Sequence, residues 1–142
     1  MRFVVLEHEM PESPGTHAAV AQRHWDFIVE TPDCDRLPTW RLAQNPLASP
    51  SEIPAERIQD HRPLYLDYQG EVSGGRGTVR RLERGTTTIE RLTANELRIV
   101  LAGTQLRGRF EIVRAPDGGL VFRRAAAEWP RRRARPRPRP SI

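Results

Sequence analysis

Arg23-His24-Trp25-Asp26-Phe27-Ile28-Val29-Glu30 is the stretch from which the fold of this chain is read. Aromatic and β-branched residues crowd it, which predicts a β-strand, and in a strand residues two apart share a face. Trp25, Phe27 and Val29 therefore make an apolar face for a core. His24 and Asp26 point the other way, an imidazole beside a carboxylate, and such a pair either binds a divalent metal or hydrogen-bonds on the surface. Two further histidines have similar settings: His8 ends the apolar run Phe3-Val4-Val5-Leu6, and His61 follows Asp60 in a Pro- and Tyr-rich segment.

Residues 2 to 8 predict a first strand with Val4, Leu6 and His8 on one face. Two prolines and a glycine make residues 9 to 15 a loop, and residues 17 to 22 are expected to add a helical turn, with His17 solvated. Thr31-Pro32-Asp33-Cys34-Asp35 reads as a turn and residues 38 to 43 as the returning strand. The single cysteine, Cys34, permits no internal disulfide, and its flanking aspartates raise a thiol pKa, which disfavours a nucleophilic role. Residues 45 to 55 read as a Pro/Ser-rich loop in which Ser51-Glu52-Ile53-Pro54 opens a short helix. From Gly70 onward, short strands recur with turn signals about every ten residues, including turns at Arg84-Gly85, Gly103 and Pro116-Asp117-Gly118-Gly119. Leu97, Ile99 and Leu101 alternate with Arg98 and Val100, one face for the core and one partly wet. The expected fold is mainly β, a small closed β-barrel of about eight strands with one or two short helices. Trp25, Trp40 and Phe110 are expected in its core, and Tyr68 either there or stacked on a nucleobase.

The chain has 142 residues, one domain's worth. The net charge of +5 is misleading, because all 23 basic residues are arginine and six of them lie within residues 131–142; without those six the charge is −1. The high pI belongs to the tail and does not show that the folded part has a basic groove. Residues 1–129 are expected to form the domain. The Arg/Pro-rich segment 130–142, unable to bury a core, is expected to be disordered and to contact nucleic acid through phosphates without reading sequence. The N-terminal apolar run, Phe3-Val4-Val5-Leu6, meets charge again after four residues, too few for a signal-peptide core or a membrane span, so a soluble cytoplasmic monomer is expected.

Several segments together resemble the 3′-phosphoesterase domain of bacterial DNA ligase D, and more closely its small stand-alone versions. They are residues 2–8, His24-Trp25-Asp26-Phe27-Ile28-Val29-Glu30, Thr39-Trp40-Arg41-Leu42, residues 60–70 beginning Asp60-His61-Arg62-Pro63-Leu64-Tyr65, the Gly74-Gly75-Arg76-Gly77-Thr78-Val79 turn with Arg84-Gly85, and residues 106–110. They follow the family's order, and that agreement is more specific than any one of them.

The resemblance implies a metal-dependent phosphoesterase that removes a 3′-phosphate, or a 3′-ribonucleoside and then the phosphate, from a primer strand during end joining. It implies a divalent metal, Mn2+ by the family's habit, held at His8, His24 and Asp26, with His61 and Tyr65 working at the phosphate. Its partners are the 3′ end of a primer-template and a DNA ligase. Two imidazoles and one carboxylate with open positions suit a catalytic metal better than a structural one. Three departures accompany the match: Ile28 stands where the family has a phosphate-contacting arginine, Gln44 stands near an expected lysine, and fifteen residues separate His8 from His24, a longer loop. Arg41, Arg57, Arg62 and Arg76 are the candidates for the missing phosphate contact. An arginine at 28, beside Asp26 on the strand, is expected to raise the rate. A non-catalytic end-binding relative that keeps the metal site is the alternative reading.

Overall fold

The two-residue alternation of residues 23–30 recurs around a closed sheet. The computed structural model describes residues 1–10, 22–32, 35–48 and 51–126. Among these described residues the strands are β1 (Arg2–Glu9), β2 (Arg23–Val29), β3 (Leu37–Leu42), β4 (Glu52–His61), β5 (Gly70–Glu71), β6 (Thr78–Thr93), β7 (Glu96–Gly103), β8 (Arg107–Arg114) and β9 (Leu120–Arg124). All pairings are antiparallel. Eight strands form a ring in the order β1-β2-β3-β4-β9-β8-β7-β6, closed where β6 pairs with β1, and the short β5 adds to β6. The expected mainly-β ring of about eight strands is the architecture found.

Details differ. The residues read as a short helix at Ser51-Glu52-Ile53-Pro54 open β4 instead, because Glu52 to Ala55 have ladder partners in β9 and Ile53 is buried in the core; tertiary pairing overrides the local signal. Nor does the chain turn at Arg84-Gly85. β6 runs straight through, pairing with β1 in its first half and β7 in its second. Gly85 is required there for another reason, since a Cβ would lie 2.2 Å from the Ala102 carbonyl oxygen of the neighbouring strand. Among the described residues the one helical element is a 3-10 turn, Pro63–Leu66, and none is long and apolar enough to cross a membrane. The helical turn read at 17–22, His17, Cys34 and the 130–142 tail lie outside the described residues, apart from Gln22.

The sheet has a core on each side. Inside the ring, Phe3 and Val5 of β1, Phe27 and Val29 of β2, Trp40 and Leu42 of β3, and Leu97, Ile99, Leu101, Phe110, Ile112 and Phe122 from the far wall pack together, with Trp25 partly buried against them. Each such side chain, fully buried, contributes about 1.5–3 kcal/mol. The alternate residues Val4, Leu6 and Ile28 face outward and would be wet on a bare strand. They are instead covered by Leu37, Leu66, Val72 and Val79, with Tyr65 at the margin. The segment after β4, through the 3-10 turn and the glycine-rich loop, thus roofs one patch of the ring's outer face. His8, His24 and Asp26 lie at the open end of that patch.

Candidate functional site

Cross-strand pairing assembles the site. His8 is opposite His24, with ring centroids 4.7 Å apart, and Leu6 is opposite Asp26. Since facing residues of an antiparallel pair share a side, both histidines and the aspartate emerge on the outer face. His8, His24 and Asp26 each offer one ligand atom, all within 4.8 Å of one another.

His61 arrives by a less legible route. Thr39 pairs with Ile58 and Leu37 with His61, so two steps along β3 match three along β4. One extra residue is a β-bulge, which re-aims the side chains beyond it. Without it, His61 would face the opposite side from Ile58. With it, His61 Nε2 lies 3.6 Å from Asp26 Oδ2, while His8 Nδ1 is 3.9 Å from the same oxygen and His24 Nε2 is 3.5 Å from Oδ1. Tyr65, one turn on, sets its ring edge-on to His61 at 5.3 Å.

The protons on two imidazoles are fixed by their outer partners. His8 Nε2 lies 2.6 Å from the Arg76 carbonyl oxygen, and His61 Nδ1 lies 3.1 Å from that of Gln59. A carbonyl only accepts, so these nitrogens carry hydrogens, and neutral His8 and His61 turn lone pairs towards a carboxylate. Lone pairs facing a carboxylate repel it, which calls for either added protons or a cation between them. His24 Nε2 and Asp26 Oδ1 are buried and without hydrogen-bond partners among the described residues. Burial by itself raises the Asp26 pKa, but the neighbouring His24 and His61 imidazoles outweigh it and pull the pKa from 3.8 to about 2. The orphaned pair and the donor chemistry fit a borderline divalent cation.

The arginines divide differently from expectation. Arg57 pairs with Trp40 and so lies on the inner-face side; its guanidinium sits 4.7 Å over that ring and bonds to Asp60. Arg76 folds its guanidinium back on Ser73, at 2.7 Å from the carbonyl oxygen and 3.2 Å from the hydroxyl, and touches the site through its backbone. Arg62 is exposed in extended backbone directly after His61, so its side chain leaves on the side away from His61. Arg41 is opposite Asp26.

The model of the DNA ligase D 3′-phosphoesterase domain family matches residues 15–114 of the chain. The chain belongs to that family. No curated protein matches it. The matched span of this ligase D phosphoesterase-family chain includes His24, Asp26, His61 and Tyr65, while His8 precedes it. His8 is nevertheless brought against His24 by the β1–β2 ladder. Ile28 shares the face of His24 and Asp26 as the strand reading requires, but it is fully buried beneath Leu66 and Leu37. The expectation that an arginine there would reach phosphate is therefore corrected: the position is apolar floor. Sequence reasoning missed the two carbonyls that orient His8 and His61, and no side-chain pattern signals a carbonyl.

Proposed function

We propose that the protein is a metal-dependent 3′-phosphoesterase acting on the 3′ ends of nucleic acid in end-joining repair. The observation that carries the reading is that His8 Nδ1, His24 Nε2 and His61 Nε2 converge within 3.5–3.9 Å on a single buried carboxylate, while the other ring nitrogens of His8 and His61 face backbone carbonyl oxygens. His8 Nδ1, His24 Nε2 and Asp26 would hold the ion, Mn2+ by family resemblance, and when bound it supplies a Lewis acid for a phosphoryl oxygen.

The remaining chemistry falls to the chain. Asp26, with its pKa near 2, stays a carboxylate throughout the working range and needs no proton loss to bind a cation. His61, held through Nδ1 by Gln59, presents Nε2 at the edge of the cluster, where a protonated imidazole stabilises charge on phosphate or protonates the leaving oxygen. The Tyr65 hydroxyl, without a partner among the described residues, is free to donate to a phosphate oxygen. The substrate in this reading is the 3′ end of a primer-template, with a DNA ligase as the enzyme that uses the resulting 3′-hydroxyl in the cytoplasm.

A 3′-phosphorylated primer-template incubated with the protein and Mn2+ should release inorganic phosphate, and a chelator should stop it. No release with saturating Mn2+ would contradict the proposal. Ile28, an apolar side chain where the family keeps an arginine, favours the second reading, an end-binding relative that retains the metal site. That reading predicts tight binding of 3′-phosphorylated ends without turnover.

A further inference from the structure

One row of side chains crosses the outer face at the level of Asp26. Arg81 pairs with Leu6, Leu6 with Asp26, Asp26 with Arg41, and Arg41 with Glu56, and facing partners share a side. Asp26 is thus flanked at one strand's distance by Leu6 and by Arg41, with Arg81 on the far side of Leu6. Adjacent strands lie about 4.8 Å apart, and an arginine fork reaches farther than that.

We propose that Arg41 is the substrate-phosphate contact of this chain, standing in for the cation missing at position 28. This rests on the reading of the site as one for 3′-phosphorylated ends. The guanidinium is exposed and has no hydrogen bond or ion pair among the described residues. Its facing neighbour Glu56 is exposed and forms no ion pair with it, so the fork is not already committed. The other arginines near the site are spent or turned away: Arg57 on Trp40 and Asp60, Arg76 on Ser73, Arg62 on the side opposite His61. Position 28 has no room for an ion, since Ile28 is fully buried among Val4, Leu6, Leu37 and Leu66. A planar fork beside the carboxylate matches the paired oxygens of a terminal phosphate, a bidentate geometry that an ammonium reproduces only in charge.

The test compares the affinity of the full-length protein for two otherwise identical primer-templates, one ending in a 3′-phosphate and one in a 3′-hydroxyl, by fluorescence anisotropy in chelator. The wild type should prefer the phosphate end by about tenfold or more, the size of a charged hydrogen-bond pair. Arg41→Gln should lose that preference with its melting temperature and Mn2+ binding unchanged, and Arg41→Lys should recover part of it. An Arg41→Gln protein that keeps the preference, or an Arg81→Gln protein that loses it instead, overturns the assignment. Phosphate release with Mn2+ separates the two levels: a wild type that discriminates ends through Arg41 yet releases no phosphate overturns the hydrolytic reading and supports Arg41. A wild type that does not distinguish the ends in chelator overturns the Arg41 assignment, and phosphate release with Mn2+ then leaves the hydrolytic reading standing.

Discussion

Asp26 and Glu83 are the two most deeply buried carboxylates among the described residues of this sheet, and they are used in opposite ways. Glu83 faces inward, its carboxylate accepting hydrogen bonds from the Arg84, Thr104, Gln105 and Leu106 backbone amides and the Thr104 hydroxyl at 2.6–3.0 Å. Asp26 faces outward to three imidazoles at 3.5–3.9 Å and leaves Oδ1 without a hydrogen-bond partner among the described residues. Burial raises both pKa values. Hydrogen bonds from the Thr104 side chain and the turn's amides pull Glu83 from 4.5 to about 2, and the histidines bring Asp26 to about 2. The same depressed pKa therefore has two meanings. A carboxylate whose acceptor capacity is filled ties the turn after β7 to β6, whereas one left short of donors is arranged for something the chain does not itself supply.

The largest effect expected tests how dry the floor of the outer site is. Ile28→Arg forces a guanidinium into the apolar packing of Val4, Leu6 and Leu66, and should cost about 3–5 kcal/mol in urea unfolding. A stable Ile28→Arg protein with raised phosphatase activity would show that the roof opens. Next is Glu83→Gln, which puts an NH2 group among donors and should cost about 3 kcal/mol. Asp26→Asn, by contrast, should change stability by less than about 1 kcal/mol, since it removes few good hydrogen bonds. Equal costs would erase the distinction between the two carboxylates.

Acid sharpens the same comparison. Glu83 has a depressed folded pKa, so its contribution is fully present above about 4.5 and is lost as pH falls through about 2. Wild type should accordingly lose about 2–3 kcal/mol from this group between those values. The gap between wild type and Glu83→Gln should narrow over that window in urea melts at successive pH values. A constant gap would mean that Glu83 does not hold the turn as an anion.

The smallest effect expected is indirect. Gly77 has φ +88°, and a Cβ there would lie 1.9 Å from the Glu9 carbonyl oxygen, so Gly77→Ala must move the loop that presents the Arg76 carbonyl to His8. Loss of an outer hydrogen bond to a metal-ligating imidazole typically costs ten- to a hundredfold in affinity; about tenfold weaker Mn2+ binding is expected. Unchanged affinity would deny the carbonyl its orienting role.

Much of this was legible in the sequence, for reasons that also mark the boundary. Period-two alternation in Trp25, Phe27 and Val29 and in Leu97, Ile99 and Leu101 read out the inner core because burial on one face leaves that signature. His24 and Asp26 sit two apart on a strand, so their common face followed from the pleat. The bulge that turns His61 toward Asp26 depends on ladder partners in β3 and has no local signature. Ile28 was misjudged for a related reason: its face is right, but the roof over it comes from residues nearly forty positions later. Glu83 looked like any charged residue near a turn, and Arg76 drew attention for its charge while its carbonyl does the positioning.

The central claim, that His8, His24 and Asp26 hold one divalent cation, is tested most directly by calorimetric Mn2+ titration of wild type, His24→Ala and Glu83→Gln. One ion should bind per chain in wild type, binding should largely vanish in His24→Ala because a ligand of the first sphere is gone, and folded Glu83→Gln should bind as wild type does. Undiminished binding in His24→Ala, or its loss in Glu83→Gln, would contradict the account.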